Sequence, residues 1–266
     1  MGVRVIIVES TAITHVGLVR HNNEDNYYVN GKFKRDNNVA TEGYTDKATR
    51  NSYLYAVCDG MGGEDYGELA SMIAVAVLAE YQEDDMQEMI WDYVQRTNSI
   101  ICGEIRKNKG IRIGSTLAML YIQGNNAISF NIGDSRIYLL RKNGKMSELY
   151  LLSEDHTEAQ HMVNFGLLTD EEAKTHSSKN KLTQHFGIFP EELTIEPYAS
   201  QEVKIKKNDI FLLCSDGLTD MVDEDEIRVI LSMDNVDSAG IAKKLSAAAQ
   251  AYGGKDNATV IVVKTS

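Results

Sequence analysis

Short runs of apolar residues, bounded by Gly, Asn and Asp, alternate along this chain with longer stretches in which apolar residues recur every three or four positions. The short runs predict strands at Val3 to Val8, Tyr27 to Val29, Ser52 to Cys58, Ser115 to Ile122, Asn126 to Ile132, Ser135 to Arg141, Met146 to Leu152, Leu193 to Ser200, Ile210 to Leu213 and Thr259 to Val263. Thr14 to Val19 begins a further extended segment that ends in Arg20, and a polar loop follows from Arg20 to Asn26. Helical spacing places Leu69, Met72, Ile73, Ala76 and Val77 on one face of a helix from Asp65 to Glu80. Met89, Ile90, Tyr93, Val94, Thr97 and Ile101 form the same kind of face between about Asp85 and Lys107. Two more helices are expected at Asp223 to Leu231 and at Val236 to Tyr252, the second capped by Asp237 or Ser238 and stopped at Gly253-Gly254.

The connections sharpen this pattern. Gly124-Asn125, Gly133-Asp134 and Asn143-Gly144 are turns too short for parallel pairing, so the strands from Ser115 to Leu152 are expected to form an antiparallel meander. Ser153 or Asp155 is expected to cap a helix running to about Phe165, with a second short helix at Asp170 to Ala173 completing a helical flap up to about Lys181. Gly31 to Asn51 has no apolar period and reads as a hairpin excursion on the surface. No linker interrupts the chain, which predicts one domain over 1–266. Runs of strands with helices in pairs predict an α+β fold, with two antiparallel sheets face to face and helix pairs outside.

Composition narrows the possible functions. At 266 residues and 43 % hydrophobic, the chain is long enough for a sizeable core. The longest apolar runs, such as Met72 to Ala79, fall short of the roughly 20 residues of a membrane span. The first residues show no signal-peptide pattern. A formal charge of -12 disfavours nucleic acid and anionic membranes as partners. The three scattered cysteines, Cys58, Cys102 and Cys214, fit a reducing compartment and a cytoplasmic location.

Three strands carry aspartates at their tips. Ser52 to Cys58 runs into Asp59-Gly-Met-Gly-Gly63, Ile210 to Cys214 leads to Asp216-Gly217, and Asp256 leads into Thr259 to Val263. Glu24, Asp25 and Asp134 sit at similar turns. Any one of these can be a turn residue bonding its own backbone. Brought together they would repel one another and raise one another's pKa values, and hard divalent cations with oxygen ligands resolve that conflict. Such ions also supply the positive charge an acidic protein needs to draw in a phosphate. Arg20, just before Glu24-Asp25, offers a planar guanidinium suited to two phosphate oxygens.

Six segments occur in the order in which they occur in a known family: Gly17-Leu-Val-Arg-His-Asn-Asn-Glu-Asp25, Val57-Cys-Asp-Gly-Met-Gly-Gly63, Gly114-Ser-Thr-Leu117, Asn131-Ile-Gly-Asp-Ser-Arg-Ile-Tyr138, Leu213-Cys-Ser-Asp-Gly-Leu-Thr-Asp220 and Gly254-Lys-Asp-Asn-Ala-Thr259. In these the chain resembles the metal-dependent protein serine/threonine phosphatases, the PPM or type-2C family, of bacterial type. The resemblance implies a four-layer α-β-β-α sandwich with metals between the sheets at one edge, and a variable flap at about 156–187. It implies two Mn2+ or Mg2+ ions, with a water activated between them attacking phosphoserine or phosphothreonine. Asp59 would bridge the ions, the Gly60 carbonyl would hold the second, and Asp216 and Asp256 would complete the first site. Asp134 with Asp216 would hold a looser third ion. Glu24 and Asp25 would order water around the metals, Arg20 would bind substrate phosphate and Asn257 would orient the Asp256 turn. Phosphorylated proteins, with a cognate Ser/Thr kinase, are the partners implied for what is expected to be a monomer.

Met61 stands where eukaryotic members carry a histidine acid, and Glu64 where many bacterial members carry a histidine. The proton donor is thus left open among Glu64, His156, His176 and a water. Other phosphatase chemistries fit worse. A cysteine nucleophile requires an arginine six residues later, where this chain has Glu64, Asn108 and Asp220. An aspartyl-phosphate mechanism requires a second aspartate at Met61 or Leu218. Gly253-Gly-Lys255 lacks the upstream glycine of a nucleotide-binding loop. A phosphatase-shaped binding or sensing module without turnover is the alternative, and it would be marked by loss of Arg20 or of a metal aspartate.

Overall fold

The computed structural model describes residues 7–36, 39–62, 66–81, 86–108, 112–144 and 146–266. Strand β1 (Val8–His15) is continuous where the hydrophobic pattern suggested two segments, Val3 to Val8 and Thr14 to Val19; residues 3–6 lie outside the described residues. Its middle reads as polar because hydroxyl residues take buried positions there, and the two threonines are paired. Thr11 Oγ1 bonds Ser238 Oγ at 2.8 Å and Thr14 Oγ1 bonds Thr259 Oγ1 at 2.7 Å. Strands β2 (Asn26–Val29) and β3 (Lys32–Phe33) form a tight hairpin. The expected surface excursion contains β4 (Thr41–Ala48), which pairs with β1 along its whole length. Its side chains alternate between exposed and half-buried, and Tyr44 is its contact with the core, so no apolar period announces it.

Strands β5 (Ser52–Cys58) and β6 (Gly60–Met61) precede helices α1 (Gly67–Leu78) and α2 (Met86–Lys107). The most buried stripe of α1 is Ala70, Ala74, Val75 and Leu78, with Leu69, Met72 and Ile73 only partly covered. The small residues let the helix approach the sheet, which rotates it away from the face that the larger side chains suggested. On α2 the expected face is buried at Ile90, Tyr93, Val94, Thr97 and Ile101.

Next come β7 (Gly114–Ser115), β8 (Leu117–Gln123), β9 (Asn126–Ile132), β10 (Arg136–Asn143) and β11 (Met146–Leu151). The expected meander is broken in the middle. Strand β9 pairs β8 in one sheet and β10 pairs β11 and β14 (Ile210–Cys214) in the other, so the turn at Gly133-Asp134 carries the chain across the sandwich. Helix α3 (Glu158–Asn164) is capped by Thr157. The expected caps are engaged elsewhere: Ser153 Oγ accepts from the Ile137 N–H at 3.0 Å, and Arg136 grips Asp155. Thr169 and Glu172 form a capping box on α4 (Asp170–Thr175). The strand expected from Leu193 to Ser200 shrinks to β12 (Tyr198–Ala199), because Pro197 has no N–H to give a ladder. Strand β13 (Val203–Lys204) follows. Helices α5 (Asp216–Thr219), α6 (Glu224–Leu231) and α7 (Ser238–Ala251) precede β15 (Ala258–Thr265). Asp237 caps α7 by accepting from the Gly240 N–H at 2.8 Å.

One sheet runs β11-β10-β14-β15-β1-β4 and the other β12-β9-β8-β5-β2-β3, with β13 also on β9. All described pairings in the two sheets are antiparallel. Alternation along β5 shows the layering. Tyr53, Tyr55 and Val57 pack between the sheets, while Leu54, Ala56 and Cys58 face α1 and α2. Leu212 and Cys214 likewise face α5 to α7, and Phe211 and Leu213 face the other sheet. Both faces of the central strands are covered, which is why they read as unbroken apolar runs.

Candidate active site

The parity that buries Tyr53, Tyr55 and Val57 between the sheets places Asp59, the next residue of that set, at the mouth of the same space. Tyr27 and Val29 on β2 have the same orientation, and Asp25 precedes them in register. Two carboxylates therefore enter one end of the sandwich from adjacent strands. The ends of β14 and β15 bring Asp216 and Asp256, and the Gly133-Asp134 crossing brings Asp134. The fields of these groups overlap. Burial, then Asp25, Asp216, Asp134 and Asp256, hold the Asp59 carboxyl well above its ordinary value. Asp216 is held up likewise by burial, Asp134 and Asp256.

Backbone bonds fix each position. The Asp59 N–H donates to Thr116 Oγ1 at 3.0 Å, the Thr116 N–H returns a bond to the Asp59 carbonyl at 2.9 Å, and Thr116 Oγ1 bonds Ser135 Oγ at 2.7 Å. Three of the six sequence segments thus meet behind one aspartate. Gly60 lies against two backbones: a Cβ there would come within 2.3 Å of the Gly67 carbonyl and 2.5 Å of the Glu24 carbonyl. At Gly217 a Cβ would come within 1.9 Å of the Asn257 carbonyl, so only glycine lets the Asp216 and Asp256 turns touch.

Asn257 holds more than its own turn. Its Nδ2 donates to the Val16 and Asn22 carbonyls at 2.8 and 2.9 Å, and its Oδ1 accepts from the Glu24 N–H at 2.8 Å. Arg20 donates to Asp256 Oδ2 at 2.7 Å, with both side chains partly exposed. One of its five N–H groups is used in that bond, and the fork has others to offer a phosphate. Burial and Glu68 push Glu24 up to about 7. Asp25 is fully buried, and burial pushes it up to about 6 although Thr259, Ser215 and Lys34 act in the other direction. Burial and Asp155 push Asp134 up to about 7.

One atom bears on what the site holds. Asp25 Oδ2 accepts from Ser215 Oγ at 2.8 Å, but Asp25 Oδ1 is buried with no protein partner. An orphaned anionic oxygen inside a ring of raised carboxylates fits hydrated divalent cations. Among the described residues no group of three or more acidic, His or Cys side chains encloses an ion unaided. Ions of the magnesium type take few carboxylates and keep several waters.

Neither histidine offered as a proton donor hydrogen-bonds a carboxylate of this ring among the described residues. His156 is buried, and its Nδ1 accepts from the Gly133 N–H at 3.3 Å. His176 Nδ1 accepts from the Ser178 N–H at 3.2 Å. Glu64 lies outside the described residues. Thr157 and Leu182 form a β-bridge, and Lys179 and Asn180 reach Asp220 at 2.8 and 3.0 Å. A cavity of about 570 Å³ is lined by Asp134, Asp216, Asp155, Asp220 and Arg228, among others.

Sequence reasoning missed Ser215, whose Oγ joins Asp25 to the Thr259 N–H at 2.9 Å, though it lies inside a quoted segment. It also missed Asn23, Lys34 and Asp220. Asn23 and Asp220 lie within quoted segments, whereas Lys34 carries no local signal.

The protein phosphatase 2C family model matches residues 30–248. PhpP of Streptococcus pneumoniae is 35 % identical over 265 residues, covering 96 % of this chain and 97 % of PhpP. The serine/threonine protein phosphatase PstP of Mycobacterium tuberculosis is 32 % identical over 266 residues, covering 97 % of this chain but 45 % of PstP. The chain thus spans less than half the length of that relative. A crystal structure of the PstP catalytic domain in complex with two manganese ions superposes with a TM-score of 0.77 at 30 % identity, covering 98 % of this chain and 99 % of that one. With its family model, its relatives and its fold in agreement, the chain belongs to the protein phosphatase 2C family, the metal-dependent serine/threonine phosphatases of bacterial type.

Proposed function

We propose that this chain hydrolyses phosphoserine and phosphothreonine in proteins with two Mn2+ or Mg2+ ions, and that residues 1–266 act as one catalytic domain with a flap at about 156–187. The observation that carries this is the meeting of Asp59, Asp134, Asp216 and Asp256 at one end of the sandwich, with Arg20 at its rim. Asp59, the Gly60 carbonyl, Asp216 and Asp256 would hold the two ions, and Asp134 with Asp216 a looser third. Bound there, the ions offset the carboxylates and make a water acidic enough to act as a nucleophile near neutral pH.

The chain's own groups position the reactants. Arg20 binds two phosphate oxygens, and Glu24 and Asp25 accept hydrogen bonds from water and hold it in line with phosphorus. As the oxygen of that water, its proton given up to solvent, bonds to phosphorus, the bond to the serine or threonine oxygen breaks, and no residue carries the phosphoryl group. Solvent in the site delivers the proton to the leaving oxygen. The cavity beside Asp134 and Asp216 gives room for the substrate chain under the flap. A cognate Ser/Thr kinase, a monomeric state and a cytoplasmic location complete the proposal; the free cysteines support the location. Among the described residues no helix is long and apolar enough to cross a membrane.

Phosphate release from a phosphothreonine peptide, titrated with Mn2+, tests the assignment. Release should saturate with Mn2+, stop with chelator and resist a cysteine-phosphatase inhibitor. A chain that released nothing at any Mn2+ concentration would be the silent module instead. Arg20→Ala should lower kcat/KM for the peptide by about 10- to 100-fold, the worth of a charge-assisted pair of hydrogen bonds, mainly through KM. Mn2+ affinity should move by less than about threefold, since the substitution removes no ligand. Unchanged peptide kinetics would take Arg20 out of the site.

A further inference from the structure

Lys34, just after β3, is fully buried although it is a lysine. Its backbone is locked on both sides by Asn26: the Lys34 N–H donates to Asn26 Oδ1 at 3.1 Å, and its carbonyl accepts from Asn26 Nδ2 at 3.0 Å. Its Nζ donates to the Asn23 carbonyl at 2.7 Å. Asn23 is itself buried, with Nδ2 on Thr14 Oγ1 at 2.9 Å and Oδ1 accepting from the Asp25 N–H at 3.2 Å. The ammonium therefore grips, from behind, the turn that delivers Glu24 and Asp25.

An ammonium is costly to remove from water unless opposite charge compensates. The acidic groups around it are Asp25, Glu42 of β4, Glu68 of α1 and Asp36. Lys34 forms no ion pair with a carboxylate among the described residues, so its charge acts through the field, which low dielectric strengthens. Any donor could tie the Asn23 carbonyl. That the donor here is a cation matters because the same turn delivers the fully buried Asp25 carboxylate, whose charge Lys34 favours.

We propose that Lys34 is a positioning residue of the phosphatase site, which fixes the Asn23 to Asp25 turn through the Asn23 carbonyl and places a buried positive charge behind Asp25. The inference rests on the water-holding role given to Asp25 above. Among the described residues Lys34 makes no hydrogen bond or ion pair with Arg20, Asp59, Asp216 or Asp256, so its effect is on turnover rather than on phosphate or metal binding.

Lys34→Met keeps most of the volume and removes the charge and the bond. In the folded variant, kcat for p-nitrophenyl phosphate should fall by about tenfold or more, while KM and the calorimetric Mn2+ affinity stay within about threefold. Lys34→Gln is uncharged but is still able to donate a hydrogen bond; it should show the same loss and is read instead if the Met variant does not fold. In an Asp25→Asn background, Lys34→Met should cost less than about threefold, because the two act as a unit. Wild-type kcat in a folded Lys34 variant, full additivity with Asp25→Asn, or an equal loss of Mn2+ affinity would each overturn the inference and leave the wider assignment standing. An Asp25→Asn enzyme as active as wild type would instead strike the reading of the site itself.

Discussion

Asp59→Asn is expected to cut kcat for phosphate-ester hydrolysis by about a thousandfold or more, while making the metal-free protein more resistant to heat. The two effects have one cause. Asp59 lies where burial and four other aspartates oppose its charge. Without ions, an amide of the same shape removes repulsion, and the main-chain bonds to Thr116 that fix the position are untouched. A relief of about 1 kcal/mol corresponds to a rise of about 2–4 °C in Tm for a chain near this size. With ions, the same amide removes the ligand proposed to bridge them, and the rise in Tm on adding Mn2+ should largely vanish. Thermal scans with chelator and with Mn2+, run beside p-nitrophenyl phosphate kinetics, separate the effects. A variant that turned over like wild type would displace Asp59 from the centre. A metal-free variant that melted well below wild type would mean that the carboxylate is a structural anchor.

How much of this the sequence disclosed depended on how local the cause was. The strand tips at Asp59 and Asp216 were legible because both flanking faces of β5 and β14 are buried, which leaves an unbroken apolar run ending in an acid and glycine. Strand β1 was misread because three of its five buried positions are Ser10, Thr11 and Thr14, and the two threonines bond hydroxyls more than 200 residues away in sequence. The turn at Gly133-Asp134 has the length of a hairpin, and only the packing of the second sheet shows that it crosses the sandwich. The Arg20 to Asp256 pair joins positions 236 residues apart. Lys34 is the extreme case. Its stretch looks like solvated surface, and what buries it is non-local: its backbone is held by Asn26, eight residues back, and its ammonium by the Asn23 carbonyl, eleven back.

The metal-free and Mn2+-saturated proteins are expected to respond to pH with opposite slopes between about pH 5 and 8. Burial is the first cause raising Glu24 to about 7, Asp25 to about 6 and Asp134 to about 7, and it also holds Asp59 and Asp216 well above the ordinary carboxylate range. In the unfolded chain these groups titrate near 4. Over the interval between, the folded metal-free state binds more protons than the unfolded one. The stability those protons confer is complete below about pH 4 and is lost as pH rises through the folded values. Metal-free protein should therefore melt higher at pH 5 than at pH 8, by about 5 °C or more. Divalent ions reverse the order, since they bind the ionised carboxylates, compete with protons at pH 5, and stabilise the fold in proportion to the logarithm of their occupancy at pH 8. Calorimetric scans across this range, with chelator and with saturating Mn2+, give two curves that should cross. The general relief of the -12 net charge on acidification acts on both curves alike, so it cannot by itself make them cross. Parallel curves would mean that the raised carboxylates do not hold the ions, and the metal ligands would have to be sought elsewhere on the chain.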